Sequence, residues 1–149
     1  MENDDCLYSA MKNAPIKPPK KNKKIEADIQ KQIAKVFELA GWETVRYNSG
    51  KFQLGNMWFN CYYNYNSGMS KGRPDLEIKR NNISISIEVK KPGGKLSKDQ
   101  ETYIKNSEKY GNITLVMDSV SKAKEFITYV HNLDSVKEAV QWYMENYKQ

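Results

Sequence analysis

The feature that most constrains the fold is a stretch of alternating residues in the middle of the chain, residues 75–90. Over residues 83–89 apolar side chains occupy every second position and polar side chains the positions between them. A period of two predicts a β-strand with one face on a core. Residues 75–79 alternate in the same way, and Asn81 and Asn82 suit a two-residue turn because asparagine tolerates positive φ. The sequence therefore predicts a β-hairpin.

The register of this hairpin brings two acids together. If Asn81 and Asn82 are the two loop residues, Asp75 lies opposite Glu88. Cβ atoms of directly opposed residues are roughly 4.5–5.5 Å apart, and like charges at that distance repel each other. A divalent cation between the carboxylates would turn this repulsion into binding, since Mg²⁺ takes carboxylate, phosphate and water oxygens as ligands. The pair therefore predicts a metal site.

Two basic residues flank the paired acids in the same register. Lys90 follows Glu88 by two residues and projects from the same face, where it could hold an attacking water or offset charge on a phosphate. Arg73, predicted to lie opposite Lys90, could bind phosphate with two parallel hydrogen bonds. This pattern favours phosphodiester chemistry.

The composition favours an anionic partner. The 149 residues contain 24 Lys and Arg against 18 Asp and Glu, a formal net charge of +6, and net positive charge attracts polyanions.

The two cysteines and single histidine match no zinc or redox spacing. No apolar run reaches the roughly 20 residues that a membrane span needs, and the N-terminus lacks the basic and apolar regions of a signal peptide. We therefore expect a cytoplasmic protein without a membrane partner.

The N-terminal residues 1–24 are predicted to form a flexible arm, and residues 25–149 a single domain. Between Lys12 and Lys24 the arm carries six lysines and three prolines. The lysines repel one another, and a segment of this composition buries little surface. One interpretation is a solubilising tail. The other is a basic arm that holds nucleic-acid phosphates through Lys20, Lys21, Lys23 and Lys24.

A helix is predicted over residues 25–40, where apolar residues recur at helical spacing. Glu26 lies near its start, where an acid also complements the positive helix terminus.

A short strand over residues 44–47 follows. The aromatic-rich residues 51–67 include one strand candidate at 57–63; their aromatics could stack on unpaired bases, but we favour core or dimer-interface packing.

Two basic, glycine-containing loops flank the hairpin. Residues 67–74 precede it and contain Lys71, and residues 91–95 follow it and contain Lys91 and Lys95. After the second loop, Ser97 and Gln100 match the S-x-x-Q capping box and predict a helix over residues 97–109.

The C-terminal part of the chain alternates strand and helices. It predicts a buried strand over residues 113–117 and helices over residues 121–131 and 135–147. His131, at a helix end, is more typical of a surface residue that complements the helix dipole than of a catalyst. The order of elements predicts an α/β fold with a mixed sheet flanked by helices.

Several motifs together resemble one nuclease family. Pro74-Asp75 and Glu88-Val89-Lys90 have the form P-D…E-x-K of the PD-(D/E)XK superfamily. The chain resembles the VRR-NUC branch of that superfamily at further positions across residues 25–119. These are Glu26, Arg46-Tyr47-Asn48-Ser49-Gly50, Gly72-Arg73-Pro74-Asp75-Leu76, Ile87-Glu88-Val89-Lys90, and Gly94-Lys95-Leu96-Ser97 followed by Gln100.

The resemblance implies a restriction-endonuclease-like core of order αβββαβ followed by C-terminal helices. It implies that Asp75, Glu88 and the Val89 carbonyl bind Mg²⁺ or Mn²⁺, that Lys90 assists the nucleophilic water, and that Glu26 and Gln100 line the site.

Small stand-alone members of this branch imply further properties. Their phage or bacterial origin implies the cytoplasm of a bacterial or phage-infected cell. They also imply branched DNA, such as a Holliday junction, as the substrate and a symmetric homodimer as the assembly. Arg46 and Asn48 join Arg73 and the loop and arm lysines as candidate nucleic-acid contacts. The competing hypothesis is a non-catalytic nucleic-acid-binding or inhibitor protein that keeps the nuclease fold.

Overall fold

The computed structural model describes residues 2–16, 25–47, 50–54, 56–61, 72–133 and 135–147. Within these ranges it contains five α-helices and six β-strands. Their bounds are α1 Glu2–Asn13, α2 Ile25–Leu39, β1 Glu43–Arg46, β2 Gly50–Leu54, β3 Met57–Cys61, β4 Leu76–Arg80, β5 Ile83–Val89, α3 Lys98–Glu108, β6 Ile113–Met117, α4 Val120–Leu133 and α5 Val136–Asn146.

The centre of the fold is a mixed four-stranded sheet in the order β1-β4-β5-β6. Its β1–β4 and β4–β5 pairs are antiparallel, and its β5–β6 pair is parallel. The elements α2, β1, β4, β5, α3 and β6 follow the predicted order αβββαβ, with α4 and α5 after them. The predicted α/β fold with a restriction-endonuclease-like core is therefore confirmed.

The predicted hairpin is confirmed in both register and turn. Leu76 pairs with Ile87 and Arg80 with Ile83, the register predicted from a two-residue loop. The loop residues Asn81 and Asn82 have φ values of 49° and 65°, which is the backbone of a type I′ turn. The alternation then sends apolar side chains to one face of the sheet and polar side chains to the other.

The core lies between the apolar face of the sheet and the helices α2 and α4. Ile78, Ile85 and Ile87 on the sheet are fully buried. Aromatic side chains fill the space above them, and the Phe37 and Phe126 rings of the two helices are 6.2 Å apart. The opposite face of β4 and β5 carries polar side chains, and this face holds the candidate site.

The prediction of a flexible arm is wrong for residues 2–13, because these residues form helix α1 and this helix is packed. Met11 of α1 is fully buried in the core. The Tyr8 ring stacks on His131 at the end of α4, with centroids 3.9 Å apart. Lys124 donates hydrogen bonds to the carbonyls of Lys12 and Ala14 at the end of α1. His131 therefore helps to dock a helix that the sequence did not predict.

The region between β1 and β4 also differs from the sequence prediction. The strand predicted over residues 57–63 is β3, but its partner β2 was not predicted; the two form a separate antiparallel pair. The rest of the predicted aromatic segment, residues 55 and 62–67, lies outside the described residues. No helix within the described ranges is long and apolar enough to cross a membrane.

Candidate active site

Asp75 and Glu88 lie close together where β4 begins and β5 ends. Asp75 immediately precedes β4, and its Oδ2 accepts a hydrogen bond of 2.9 Å from the backbone N–H of Val89. This side-chain bond joins the start of β4 to the last residue of β5, beyond the last backbone pair, Leu76 and Ile87. The two predicted carboxylates therefore lie at the ends of adjacent strands.

Glu88 is the most buried acid of the site, with 1% of its surface exposed. Its Oε1 forms an ion pair with Lys90 Nζ at 2.9 Å and also accepts a hydrogen bond from Nε2 of Gln100. Its Oε2 is buried without a hydrogen-bond partner among the described residues. One oxygen is thus doubly bound, and the other is available for a ligand.

Burial raises the pKa of both acids, and the charge of a neighbouring acid adds to each rise. The pKa of Glu88 rises to about 7, because burial and then the charge of Asp75 disfavour its ionised form, although Lys90 opposes the rise. The pKa of Asp75 is also raised, mainly by burial, while the hydrogen bond from Val89 acts against it. Two acids that resist ionisation together form a site that a positive ion would stabilise.

Glu26 lies across from these acids, in the first turn of α2. Its Oε2 accepts a hydrogen bond of 3.3 Å from the N–H of Lys91, directly after Lys90. Its charge also contributes to the raised pKa of Asp75 and of Glu88. The position at a helix start explains why an acid is favoured there, and the fold also brings this acid to the site.

Gln100 reaches the site from helix α3. The predicted capping box is present: Ser97 accepts from the N–H of Gln100, and Gln100 Oε1 accepts from the N–H of Ser97. The other end of the same amide binds Glu88. The helix cap therefore fixes the side chain that contacts the buried carboxylate.

The donor set fits a divalent cation that also takes ligands from outside the protein. No cluster of three or more His, Cys, Asp or Glu side chains in the described ranges is placed to hold a metal ion by itself. The unpartnered Oε2 of Glu88 and the raised pKa values of both acids nevertheless fit a cation, which would take that oxygen as a ligand and favour the ionised form of both acids. Mg²⁺ and Mn²⁺ sites often use one or two carboxylates completed by water and phosphate.

Among the candidate nucleic-acid contacts, four lie in the described residues. Arg73 places its guanidinium over the Tyr47 ring. Arg46 is exposed at the end of β1, close enough to Asp75 to act against the rise of its pKa. Lys91 and Lys95 are exposed in the loop after β5. Six further candidates lie outside the described residues: Lys20, Lys21, Lys23, Lys24, Asn48 and Lys71.

A group of polar residues beside the acids was missed by sequence reasoning. Tyr47 donates a hydrogen bond to Glu77, which also binds Ser84 and pairs with Lys79. The alternation of residues 75–79 already placed Glu77 and Lys79 on the face of Asp75. The involvement of Tyr47 depends on the β1–β4 register, which the sequence pattern did not provide.

Gly72 explains how the loop before β4 approaches α3. Its φ is +81°, and a Cβ added here would lie 2.2 Å from the carbonyl oxygen of Asp99 and 2.6 Å from the N–H nitrogen of Gln100. Only glycine permits both this backbone conformation and this contact. The loop that carries Asp75 is therefore packed directly on the helix turn that carries Gln100.

Comparison with known proteins identifies one family. The model of the VRR-NUC domain matches residues 24–121. This range contains the five residues of the site, Glu26, Asp75, Glu88, Lys90 and Gln100. No curated protein and no solved structure matches the chain.

Proposed function

The chain belongs to the VRR-NUC domain family, a PD-(D/E)XK-like nuclease family, and from this premise we propose that it is an endonuclease that hydrolyses DNA phosphodiesters with Mg²⁺ or Mn²⁺. The observation that carries the proposal is the free, buried oxygen of Glu88 next to Asp75. A structural ion pair would leave no carboxylate oxygen without a partner, since such an oxygen costs free energy when buried.

In this proposal Asp75, Glu88 and the carbonyl of Val89 hold the metal ion. When bound, a divalent ion lowers the pKa of water and offsets the charge that develops on the phosphate. Asp75 and Glu88 supply the two negative charges, and the hydrogen bond from Val89 fixes the orientation of Asp75. Gln100 fixes Glu88 in the same way from the other side.

Lys90 is proposed to orient the attacking water or to stabilise charge on the phosphate. Its ammonium group is held 2.9 Å from Glu88 and carries three N–H donors, so donors remain for a water or a phosphate oxygen. Glu26 is proposed to line the same site and to contact water molecules there. Arg46, Arg73, Lys91 and Lys95 are proposed to hold the phosphates on either side of the reacting one.

The preferred substrate and assembly are proposed from the family resemblance. We propose branched DNA such as a Holliday junction as the substrate, and a symmetric dimer whose two sites meet two strands. Lys71, Asn48, Lys20, Lys21, Lys23 and Lys24 are proposed as further contacts, and the cytoplasm of a bacterial or phage-infected cell as the setting.

A cleavage assay with synthetic junction, flap and duplex DNA tests this function. Wild type should cut in Mg²⁺ or Mn²⁺ and stop in EDTA, and Asp75→Ala and Lys90→Ala should each lose about 100-fold or more of the rate. Glu108 and Lys105 are an exposed acid and an exposed lysine of α3. Glu108→Ala and Lys105→Ala are therefore matched controls, and both should cleave at the wild-type rate.

Calorimetric titration with Mn²⁺ separates the nuclease from a binding-only protein. The proposed enzyme binds Mn²⁺ through Asp75 and Glu88, so Asp75→Asn and Glu88→Gln should abolish the heat of binding. DNA binding without metal binding or cleavage would instead favour a non-catalytic binding or inhibitor protein.

A further inference from the structure

The sheet places Tyr47 next to Asp75 and on the same face. The N–H of Tyr47 donates a 2.9 Å hydrogen bond to the carbonyl of Asp75, which continues the antiparallel pairing of Arg46 with Leu76. Directly opposed residues of antiparallel strands project from one face. The Tyr47 ring therefore lies on the face that carries the paired acids, and Glu77 lies on that face as well.

Two parts of the Tyr47 side chain make contacts, the face of its ring and its hydroxyl. The guanidinium carbon of Arg73 lies 3.6 Å from the centroid of the ring. The hydroxyl donates a hydrogen bond to Oε2 of Glu77. The ring is therefore fixed at one end by a carboxylate and supports a cation on its face.

Glu77 is itself held by two further groups. Ser84 donates a hydrogen bond of 2.5 Å to its Oε1, and Lys79 Nζ lies 3.4 Å from its Oε2. The carboxylate that accepts from the Tyr47 hydroxyl is therefore held at both of its oxygens.

The guanidinium over this ring is restrained in position. Its N–H donors form a planar fork that matches two oxygens of a phosphate. A free arginine side chain loses rotamer entropy when it binds, whereas a stacked one has lost part of it already. The Tyr47 ring therefore prepares Arg73 to bind an anion.

We propose that Tyr47, anchored by Glu77, is a positioning residue that holds Arg73 as a phosphate-binding site for the DNA strand next to the Asp75–Glu88 pair. The site takes a backbone phosphate, whose charge and geometry suit the guanidinium, and reads no base sequence. The inference rests on the proposed function, because it assigns the substrate's phosphate to a place beside the acids.

A double-mutant cycle on DNA binding tests the proposal. The probe is a synthetic four-way junction, with a duplex of the same arm sequence alongside, titrated in EDTA over a range of salt concentrations. Arg73→Ala should weaken binding about tenfold and reduce the slope of log Kd against log salt by about 1. Tyr47→Leu should weaken binding about fivefold in the wild type and less than about twofold in Arg73→Ala.

Conservative variants separate positioning from folding. Tyr47→Phe keeps the ring but loses the bond to Glu77, and Glu77→Gln weakens the same bond, so each should weaken binding about twofold. Both also serve if Tyr47→Leu does not fold, which thermal unfolding of each variant reveals. Tyr110→Leu, at a tyrosine that is 84% exposed, is the matched control and should bind like wild type.

Two results would overturn the proposal: an equal loss from Tyr47→Leu in both backgrounds, or a salt slope that Arg73→Ala leaves unchanged. The binding assay contains no metal, so it does not depend on catalysis. Intact binding and an intact cycle without any cleavage in Mg²⁺ would refute the nuclease function and keep the phosphate site.

Discussion

The side-chain amide of Gln100 donates a hydrogen bond to the buried carboxylate of Glu88 while its oxygen completes the cap of α3. One residue thus joins the start of a helix to the end of a strand. The helix contributes no fully buried side chain of its own, so this contact and the close approach of Gly72 to Asp99 fix α3 to the site. The position of the Glu88 carboxylate should therefore depend on the side chain of Gln100.

Gln100→Ala and Ser97→Ala should separate the two roles of this contact. Each breaks the capping box and should lower the free energy of unfolding by about 1 kcal/mol. Only Gln100→Ala removes the donor to Glu88, so only it should slow cleavage, by about tenfold or more. Urea unfolding and cleavage rates measured side by side check this, and equal slowing in both variants would show that Gln100 acts only through the helix.

The stability of the metal-free protein should depend on the ionisation of Glu88. Its pKa is about 7 in the folded chain against an ordinary value of 4.5, so the folded state binds the proton more tightly. The contribution of Glu88 to the free energy of unfolding should therefore fall as pH rises from about 4.5 to about 7, by on the order of 3 kcal/mol.

Urea unfolding of wild type and Glu88→Gln in EDTA, between pH 5 and pH 8, measures that contribution. The free energy of unfolding of the wild type should fall relative to that of Glu88→Gln as pH rises. Mn²⁺ should restore it, since the proposed site takes the ion on the deprotonated acid. A difference that stays constant with pH would contradict the raised pKa.

How much the sequence predicts depends on how far apart in the chain the partners lie. The β4–β5 register follows from alternation and from two asparagines that accept positive φ, so the meeting of Asp75 and Glu88 was predictable. The contact of Tyr47 with Glu77 spans 30 residues, and no short turn joins their strands. Nothing local fixes that register, so this part of the site required the fold.

Helix α1 shows the other limit of sequence reasoning. Its segment is polar and precedes a run of lysines and prolines, which is typical of a flexible arm. Met11 is buried because α2 and α4 together form a surface on which α1 packs. The sequence of one segment does not reveal such a surface. The capping box of α3, in contrast, is a signal within four residues, and the structure confirms it.

Lys90→Ala should separate catalysis from metal binding. Lys90 contacts Glu88 but is itself a cation, so its removal should leave the Mn²⁺ affinity unchanged or tighten it while cleavage falls by about 100-fold or more. Calorimetry and single-turnover cleavage measure the two effects, with Glu88→Gln as the variant that should lose both. Loss of Mn²⁺ binding in Lys90→Ala would mean that Lys90 serves mainly to hold Glu88 in place.

Gly72→Ala should damage both stability and activity. The added Cβ would lie 2.2 Å from the Asp99 carbonyl oxygen, so the loop and α3 must separate, at a cost of about 2 kcal/mol or more. Gly111 has a similar φ of +80° with no atom within 4 Å of an added Cβ, so Gly111→Ala should cost only about 1 kcal/mol and keep activity. Equal costs in unfolding measurements would show that φ alone constrains Gly72.

The role of the N-terminal lysines has to be tested without disturbing α1. Deleting residues 1–24 would remove the buried Met11, and Met11→Ala alone should lower the free energy of unfolding by about 2–4 kcal/mol. Replacing Lys17, Lys20, Lys21, Lys23 and Lys24 with serine keeps α1 and removes five positive charges. If these lysines bind phosphates, the affinity for DNA should fall and the slope of log Kd against log salt should flatten, by up to about 0.9 for each phosphate that is no longer neutralised. An unchanged slope, with thermal unfolding like that of wild type, would show that the segment is a solubilising tail.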